Sequence, residues 1–190
     1  ITDHHLGRNV TRLQPDIGCY GAYVLDEQND RVITMLARAT LLATGGCGKI
    51  YKTTSNGFAS TGDGINLAYQ SGIPLEDMEF IQFHPTGLFP LGILVSEAAR
   101  GEGGFLRNGL GERFMERYAP TMKDLAARDV VSRSILTEIR QGRGIMGKDY
   151  VHLDLTHLGE KTITDKLWEI ASFARIYLGI DPARQPIPVQ

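Results

Sequence analysis

Alternation of small and large residues is the first pattern along the chain, and it predicts a β-hairpin. Residues 18–25 carry this pattern, residues 26–30 form the predicted polar turn, and residues 31–36 are the predicted returning strand. The short apolar run 39–43 follows and stops abruptly at Thr44-Gly45-Gly46. A buried strand that ends in glycines is typical of the edge of a nucleotide crevice, although a plain turn explains the same residues.

A second pattern, with apolar residues at helical spacing, begins after Thr61. It predicts a short helix that has Asp63 near its N-cap and stops at Gly72. A simple capped helix explains these residues. The functional alternative is that the glycines leave room for a ligand and that Asp63 accepts hydrogen bonds from ligand hydroxyls, such as those of a ribose or ribitol.

The remainder of the chain mixes both periodicities and predicts an α+β fold. The strand predictions are 91–95, a hairpin over 105–114 that turns at Asn108-Gly109, and 150–155. The helix predictions are 129–141 and a helix over 162–178 that opens with the capping box Thr162-x-x-Asp165. The tail, residues 181–190, is predicted to be extended. These elements indicate a mixed domain of short strands, hairpins and helices, preceded by a hairpin and a strand.

Composition narrows the class of protein. The chain has 190 residues, 42% hydrophobic residues and a net charge of −2, so it can bury a core and offers no basic face for nucleic acid. Its apolar runs are only a few residues long, which argues against a membrane-spanning segment. Cys19 and Cys47 lack metal-ligand spacing, and we interpret them as unpaired thiols in a reducing compartment.

Residues that can carry chemistry concentrate between His84 and Arg128. Pro85 keeps His84 out of a helix, and Ser96 and Glu97 follow within thirteen residues. Arg128 stands at the start of the helix predicted over 129–141, where a guanidinium and a positive helix end together favour an anion. A surface ion pair with Asp124 or Asp129 is the alternative for Arg128. With Arg100, these residues predict half of an active site for a small dicarboxylic acid.

Six motifs stand in the order found in the succinate dehydrogenase/fumarate reductase flavoprotein family, which the chain resembles from about residue 18 onward. They are Leu42-Ala43-Thr44-Gly45-Gly46, Thr61-Gly62-Asp63-Gly64, Phe83-His84-Pro85-Thr86-Gly87, Ala99-Arg100-Gly101-Glu102-Gly103-Gly104, Glu112-Arg113-Phe114-Met115-Glu116-Arg117-Tyr118-Ala119-Pro120 and Ala127-Arg128-Asp129-Val130-Val131. L-Aspartate oxidase, a close relative, shares most of them. The fifth motif and the glycine after His84-Pro85-Thr86 look more like the dicarboxylate dehydrogenase branch.

The resemblance implies FAD as cofactor and hydride transfer between flavin N5 and a dicarboxylate carbon. It implies that Thr44, Gly45, Gly46 and Asp63 contact FAD. It places His84 and Ser96 at a substrate carboxylate, although the family usually has threonine at position 96. It gives Arg128 the proton exchange with substrate, and Glu97 and Arg100 the relay to solvent. A free guanidinium has a pKa above about 12, so this role requires that the site pair and desolvate it.

The resemblance also implies an organisation in two domains. Residues 1–75 correspond to the C-terminal part of an FAD-binding domain, and residues 76–190 to a capping domain. The chain begins at Ile1 without methionine or an apolar leader, and we interpret it as an internal fragment. By itself, it is expected neither to hold FAD tightly nor to turn over.

For the full-length protein, the resemblance implies partners and a place in metabolism. An iron–sulfur subunit and a membrane anchor are expected, in a respiratory complex on the cytoplasmic face of the inner membrane. The complex would serve electron transport and the tricarboxylic acid cycle. Two alternatives remain: L-aspartate oxidase, and a capping or interaction module without chemistry. Against the second stand Arg128, Glu97 and Arg100, which a pure scaffold does not need.

Overall fold

The computed structural model describes residues 1–3, 5–7 and 18–190, which form two compact units. The first unit comprises Ile1–Lys52 and Asn56–Phe80, and the second comprises Thr53–Ser55 and Ile81–Gln190. This division falls a few residues after the domain boundary predicted at residue 75. Assignment of the two units to an FAD-binding part and a capping domain stays a prediction.

The first unit contains the predicted hairpin and the predicted short helix. Strands β1 (Gly21–Asp26) and β2 (Arg31–Leu36) pair antiparallel, with Gly21 opposite Leu36. Helix α1 spans Asp63–Gln70, so Asp63 is its first residue and Gly62, with φ 85°, is the N-cap. Both predicted elements are therefore confirmed. They could be predicted because their turn and cap residues lie next to them in the sequence.

The buried strand predicted over 39–43 is wrong. These residues are irregular and exposed, and Leu41 leaves 91% of its surface accessible. A strand exists only where a neighbour satisfies its N–H and C=O groups, and the described residues pair no strand with this run. Residues 39–43 have the apolar composition of a strand, but they lack a neighbouring strand to pair with among the described residues.

The second unit is built on a five-stranded antiparallel sheet. Its strands are β3 (Gly87–Leu88), β4 (Ile93–Leu94), β5 (Phe105–Arg107), β6 (Val151–Asp154) and β7 (Ile187–Val189). Their order is β4-β3-β7-β6-β5, so the extended tail becomes the central strand. The strands predicted over 91–95 and 150–155 are present in shorter form.

The hairpin predicted over 105–114 is wrong in its pairing. The turn at Asn108 forms, but β5 pairs with β6 and no strand returns after the turn within the described residues. The Asn108 amide instead donates to the buried carboxylate of Glu138, at 2.9 Å. The chain then enters a helix, and this buried hydrogen bond ties the turn to the helical layer.

Helices cover the sheet. They are α2 (Ala98–Gly101), α3 (Met115–Tyr118), α4 (Arg128–Arg140), α5 (Glu160–Lys166) and α6 (Trp168–Phe173), followed by a π-helical turn at Ala174–Leu178. Helix α4 confirms the prediction over 129–141. The capping box at Thr162 is wrong, because α5 begins earlier, behind Gly159. No helix in the described part of the chain is long and apolar enough to cross a membrane.

The core of the second unit lies between the sheet and these helices. Alternation along β6 turns Val151 and Leu153 inward, and both are fully buried with Ile187 of β7. Val131 and Ile135, one helical turn apart on α4, are buried in the same cluster. This packing fixes α4, and therefore its first residue, relative to the sheet.

Candidate active site

A carboxylate between two guanidiniums forms the centre of the candidate site in the second unit. Glu97 stands immediately before α2, Arg100 lies within α2, and Arg128 is the first residue of α4. Arg128 Nε donates to Glu97 Oε2 at 3.1 Å, and Arg100 Nη2 lies 3.6 Å from Glu97 Oε1. The structure therefore brings together the three residues predicted to move a proton, while that role stays a prediction.

The surface ion pair that was the alternative for Arg128 does not form. Asp129 pairs with Arg133 one turn along α4, and Asp124 is buried and pairs with Arg113. Arg128 Nη1 instead donates to Gln82 Oε1 at 3.2 Å. The guanidinium is thus held between Glu97 and Gln82, with its side chain 42% exposed.

Arg100 is the unusual member of the group because its side chain is fully buried. Its Nη1 donates to the main-chain carbonyl of Asp124, but Nε and Nη2 have no hydrogen-bond partner among the described residues. Burial lowers the pKa of Arg100, and the nearby carboxylates of Glu97 and Asp124 oppose that effect only in part. A guanidinium in this environment gives up its proton more easily than one in water.

Glu97 stays ionised at neutral pH. The hydrogen bond from Arg128 lowers the pKa of the Glu97 carboxyl, and the charges of Arg100 and Arg128 add to this effect. Its two oxygens face two different arginines, so the carboxylate connects the exposed guanidinium of Arg128 with the buried one of Arg100.

His84 is half-buried and presents one ring nitrogen for binding. Its Nδ1 accepts the main-chain N–H of Thr86 at 3.3 Å, which leaves Nε2 to carry the proton of the neutral ring. Burial lowers the pKa of His84, and the positive charge of Arg128 lowers it further. The hydroxyl of Ser132 on α4 donates to the Phe83 carbonyl at 3.3 Å and so fixes the segment before His84.

Ser96 faces a cavity of about 360 Å³ within the second unit. Its hydroxyl oxygen accepts the main-chain N–H of Ala98 at 3.3 Å, so the hydroxyl proton is left to donate to a ligand. The cavity wall is mainly apolar, with Leu91, Leu94 and Phe173, and it also presents a few hydroxyls and the carboxylate of Glu169. A mainly apolar wall with a few polar groups is typical of a small-molecule site.

Two residues of this site escaped the sequence analysis. Gln82 holds Arg128, but an amide two residues before a histidine follows no recognisable pattern. Asp124 appeared only as a surface partner for Arg128, whereas it is buried and its carbonyl accepts from Arg100. Its partner Arg113 lies eleven residues upstream, and this nearby arginine is the only sequence signal of its burial as an ion pair.

The residues predicted to contact FAD lie in the first unit. A Cβ on Gly64 would stand 1.7 Å from Thr44 Oγ1, so only glycine lets Thr44 lie against the first turn of α1. Gly45 has φ 74°, and a Cβ built on it meets nothing within 4 Å. Gly46 is nearly as open, and Asp63 is in the first turn of α1. Exposed backbone beside a helix start and a carboxylate acceptor fits the hydroxyl-bearing part of FAD.

The sequence has relatives among flavoproteins. The profile of the FAD binding domain family matches residues 2–190. The succinate dehydrogenase flavoprotein subunit of Coxiella burnetii is 48% identical over 173 residues, which are 90% of this chain and 30% of that protein. An uncharacterized FAD-dependent oxidoreductase of Methanocaldococcus jannaschii is 48% identical over 175 residues, which are 92% of this chain and 32% of that protein.

Solved structures of related proteins also match this chain. A variant of Escherichia coli quinol fumarate reductase FrdA superimposes with a TM-score of 0.79 at 40% identity, over 84% of this chain and 30% of that one. Mycobacterium smegmatis Sdh1 in complex with UQ1 gives a TM-score of 0.66 at 40% identity, over 84% and 27%. The α+β prediction is therefore confirmed. The chain spans about a third or less of the length of these relatives.

Proposed function

Because this chain belongs to the FAD binding domain family, we propose that its second unit forms the proton-transfer and carboxylate-binding wall of a site that interconverts succinate and fumarate. FAD supplies a two-electron carrier that takes or gives a hydride when it is bound. The family and the named relatives are those of FAD-dependent oxidoreductases of the succinate dehydrogenase/fumarate reductase type.

The observation that carries this proposal is the continuous contact from Arg128 through Glu97 to Arg100. Arg128 is half-exposed, whereas Arg100 is fully buried and keeps two donors without hydrogen-bond partners among the described residues. Unsatisfied buried donors are costly to a protein, so a group that keeps them serves more than packing. Proton transfer between Arg128 and Arg100 through Glu97 is the function that this geometry supports best.

In the oxidation of succinate, adjacent carbons lose a hydride and a proton. We assign the uptake of that proton to Arg128: its guanidinium first gives a proton to the Glu97 carboxylate, and the neutral guanidine that remains takes the proton from substrate. Glu97 then passes its proton to Arg100 in its neutral form, which burial favours. Fumarate reduction runs through the same groups in the opposite order, and Arg128 then gives the proton. The arginine suits this role because Glu97 and Gln82 hold it at a fixed position and orientation.

Substrate carboxylates need donors, and this wall offers several. His84 Nε2 carries a proton because Nδ1 accepts the Thr86 N–H, and the Ser96 hydroxyl keeps its proton free to donate. A lowered pKa keeps His84 neutral, so it orients a carboxylate without taking a proton from the relay. Arg128 adds the positive charge that a dicarboxylate requires.

For FAD, we assign contacts to Thr44, Gly45, Gly46 and Asp63 of the first unit. Open glycine backbone lets a ligand approach the main chain, and the Asp63 carboxylate accepts from ligand hydroxyls. In the full-length protein, we assign an iron–sulfur subunit and a membrane anchor as partners, at the cytoplasmic face of the inner membrane. The family resemblance implies these partners, and the named relatives, a quinol fumarate reductase and an Sdh1 in complex with UQ1, support a respiratory context.

The test is turnover by the full-length protein with FAD bound. Succinate oxidation with an artificial electron acceptor and fumarate reduction with reduced viologen should both be measurable, and both products identified. Oxidation of L-aspartate to iminoaspartate by oxygen, without activity on succinate, would instead identify an aspartate oxidase. A protein inactive on all three substrates would contradict the proposal.

Ser96 provides a matched pair of variants for carboxylate binding. Ser96→Ala should raise KM for succinate by about 10-fold or more, because a hydrogen bond to a charged group contributes roughly 1.5–3 kcal/mol. Ser96→Thr keeps the hydroxyl and should leave KM within about twofold of wild type. Steady-state kinetics over a range of succinate concentrations measures both. Equal KM values for the two variants would remove Ser96 from the substrate contacts.

A further inference from the structure

We propose that Asp124 is a positioning residue that fixes the buried guanidinium of Arg100 against Glu97, an inference that rests on the proposed function. Asp124 lies in the 3-10 turn Lys123–Leu125, just before α4, and touches neither the cavity wall nor Glu97 in the described structure. It acts through Arg100, whose position its main chain determines.

The contacts of Asp124 run in two directions. Its main-chain carbonyl accepts from Arg100 Nη1, the only hydrogen bond from this guanidinium within the described residues. Its side chain is 97% buried, with Oδ1 accepting the main-chain N–H of Leu106 at 2.8 Å and Oδ2 accepting from Arg113 Nε at 2.9 Å. The side chain that binds Leu106 and the carbonyl that binds Arg100 belong to one residue. The hydrogen bond to Leu106 on β5, the anchor of Asp124, therefore determines the position of its carbonyl.

The same residue links the two arginines of the relay. Asp124 is four residues before Arg128, and the chain between them turns directly into α4. The anchor to Leu106 therefore fixes the start of α4 as well as Arg100. A shift of this turn would move both guanidiniums away from the two oxygens of Glu97, and proton transfer depends steeply on such distances.

Charge adds to this geometry. Arg100 is faced by the carboxylates of Glu97 and Asp124 and by the guanidinium of Arg128. Asp124 favours the charged form of Arg100, whereas Arg128 and burial disfavour it. Removing the Asp124 charge should therefore lower the pKa of Arg100 further.

The experiment uses the full-length flavoprotein and the variant Asp124→Asn. Asparagine keeps the acceptor for Leu106 but loses the charge and the acceptor for Arg113, so its side chain is held at one end only. We expect kcat to fall roughly tenfold, a part of the roughly 10²–10⁴-fold that a positioned proton donor contributes, while KM stays within about twofold. The pH profile of kcat should move to lower pH. A residue that only supports the fold would not move that profile.

Asp154 provides the matched control. It too accepts a main-chain N–H, that of Thr156 at 3.0 Å, and an arginine, Arg107 at 2.9 Å, but it does not contact the relay. Asp154→Asn should lower the melting temperature about as much as Asp124→Asn and leave the pH profile unchanged. If Asp124→Asn fails to fold, Arg113→Gln removes the arginine from the other side of the same ion pair, and kcat should fall with an unchanged KM.

The outcomes separate the two proposals. Wild-type kcat and an unmoved pH profile in Asp124→Asn would overturn the positioning role, as would an equal shift in Asp154→Asn or a wild-type kcat in Arg113→Gln. The proposed function survives these results if Arg128→Lys is inactive. A wild-type protein without activity on succinate or fumarate overturns both.

Discussion

Replacing Arg128 with lysine should abolish succinate oxidation by the full-length protein while FAD stays bound. Lysine keeps the positive charge, but it cannot place one donor on Glu97 and another on Gln82, as the Arg128 Nε and Nη1 do. An ammonium is a point charge on a flexible stem, so the fixed orientation is lost. We expect kcat to fall by about 10²–10⁴-fold, the range that general acid–base catalysis contributes.

The measurement combines succinate turnover with the flavin absorbance spectrum of the purified variant. Arg133→Lys is the matched control, because Arg133 lies on the same helix, is 70% exposed and pairs only with Asp129 among the ion pairs described. It should keep wild-type turnover. Retained turnover in Arg128→Lys would remove Arg128 from the catalytic role, and loss of the flavin spectrum would show that the change acts on cofactor binding instead.

Replacing Glu138 with glutamine should have the largest effect on stability. Glu138 lies on α4 and is fully buried. Its carboxylate accepts from Arg143 at 2.6 Å, from Arg117 and Tyr118 at 2.7 Å, and from Asn108 at 2.9 Å. Breaking a buried pair costs about 3–5 kcal/mol, and because both arginines reach solvent we expect the lower end, about 3 kcal/mol.

This stability should depend on pH in a defined direction. Burial by itself raises the pKa of Glu138, but the hydrogen bonds from Arg143 and Asn108 outweigh it and hold that pKa far below its usual value. A carboxylate with a lowered pKa stabilises the fold above its unfolded pKa, about 4.3, and loses that contribution as the pH falls. Wild type and Glu138→Gln should therefore differ most at neutral pH and converge in acid.

Urea unfolding of the full-length protein, followed across this pH range, measures the effect. Glu116→Gln is the control, because Glu116 is exposed and pairs with Lys123 at the surface. Its unfolding should stay close to wild type, because an ion pair at the surface contributes little to stability. A Glu138→Gln protein as stable as wild type at pH 7 would show that the arginines find other partners.

Local periodicity predicted those parts of the site that depend on near neighbours in sequence. Helix α4 and the position of Arg128 at its start followed from apolar residues every fourth position, because helical hydrogen bonds join residues four apart. The β1–β2 hairpin followed from an alternating segment, a polar turn and a returning strand that are adjacent in the sequence. Roles for Thr44, Asp63, His84, Ser96, Glu97 and Arg100 came from the family resemblance, not from these patterns.

Tertiary structure alone decided which distant segments meet. The tail strand β7 is central because Leu88 pairs with Val189 and Leu153 with Ile187, contacts that no local pattern encodes. After the turn at Asn108 no return strand forms within the described residues, and the Asn108 amide instead binds the buried carboxylate of Glu138, thirty residues away. The run 39–43 had the composition of a strand but no neighbour to pair with among the described residues.

The sequence by itself determined the helix that carries Arg128, the hairpin of the first unit and the residue types available for chemistry. Only the tertiary structure decided that Glu97 lies between two arginines, that Arg100 is buried with unsatisfied donors, and that Asp124 anchors it. The physical reason is range. Helix and turn signals act over a few residues, whereas burial and charge pairing depend on surfaces that meet only when the core closes.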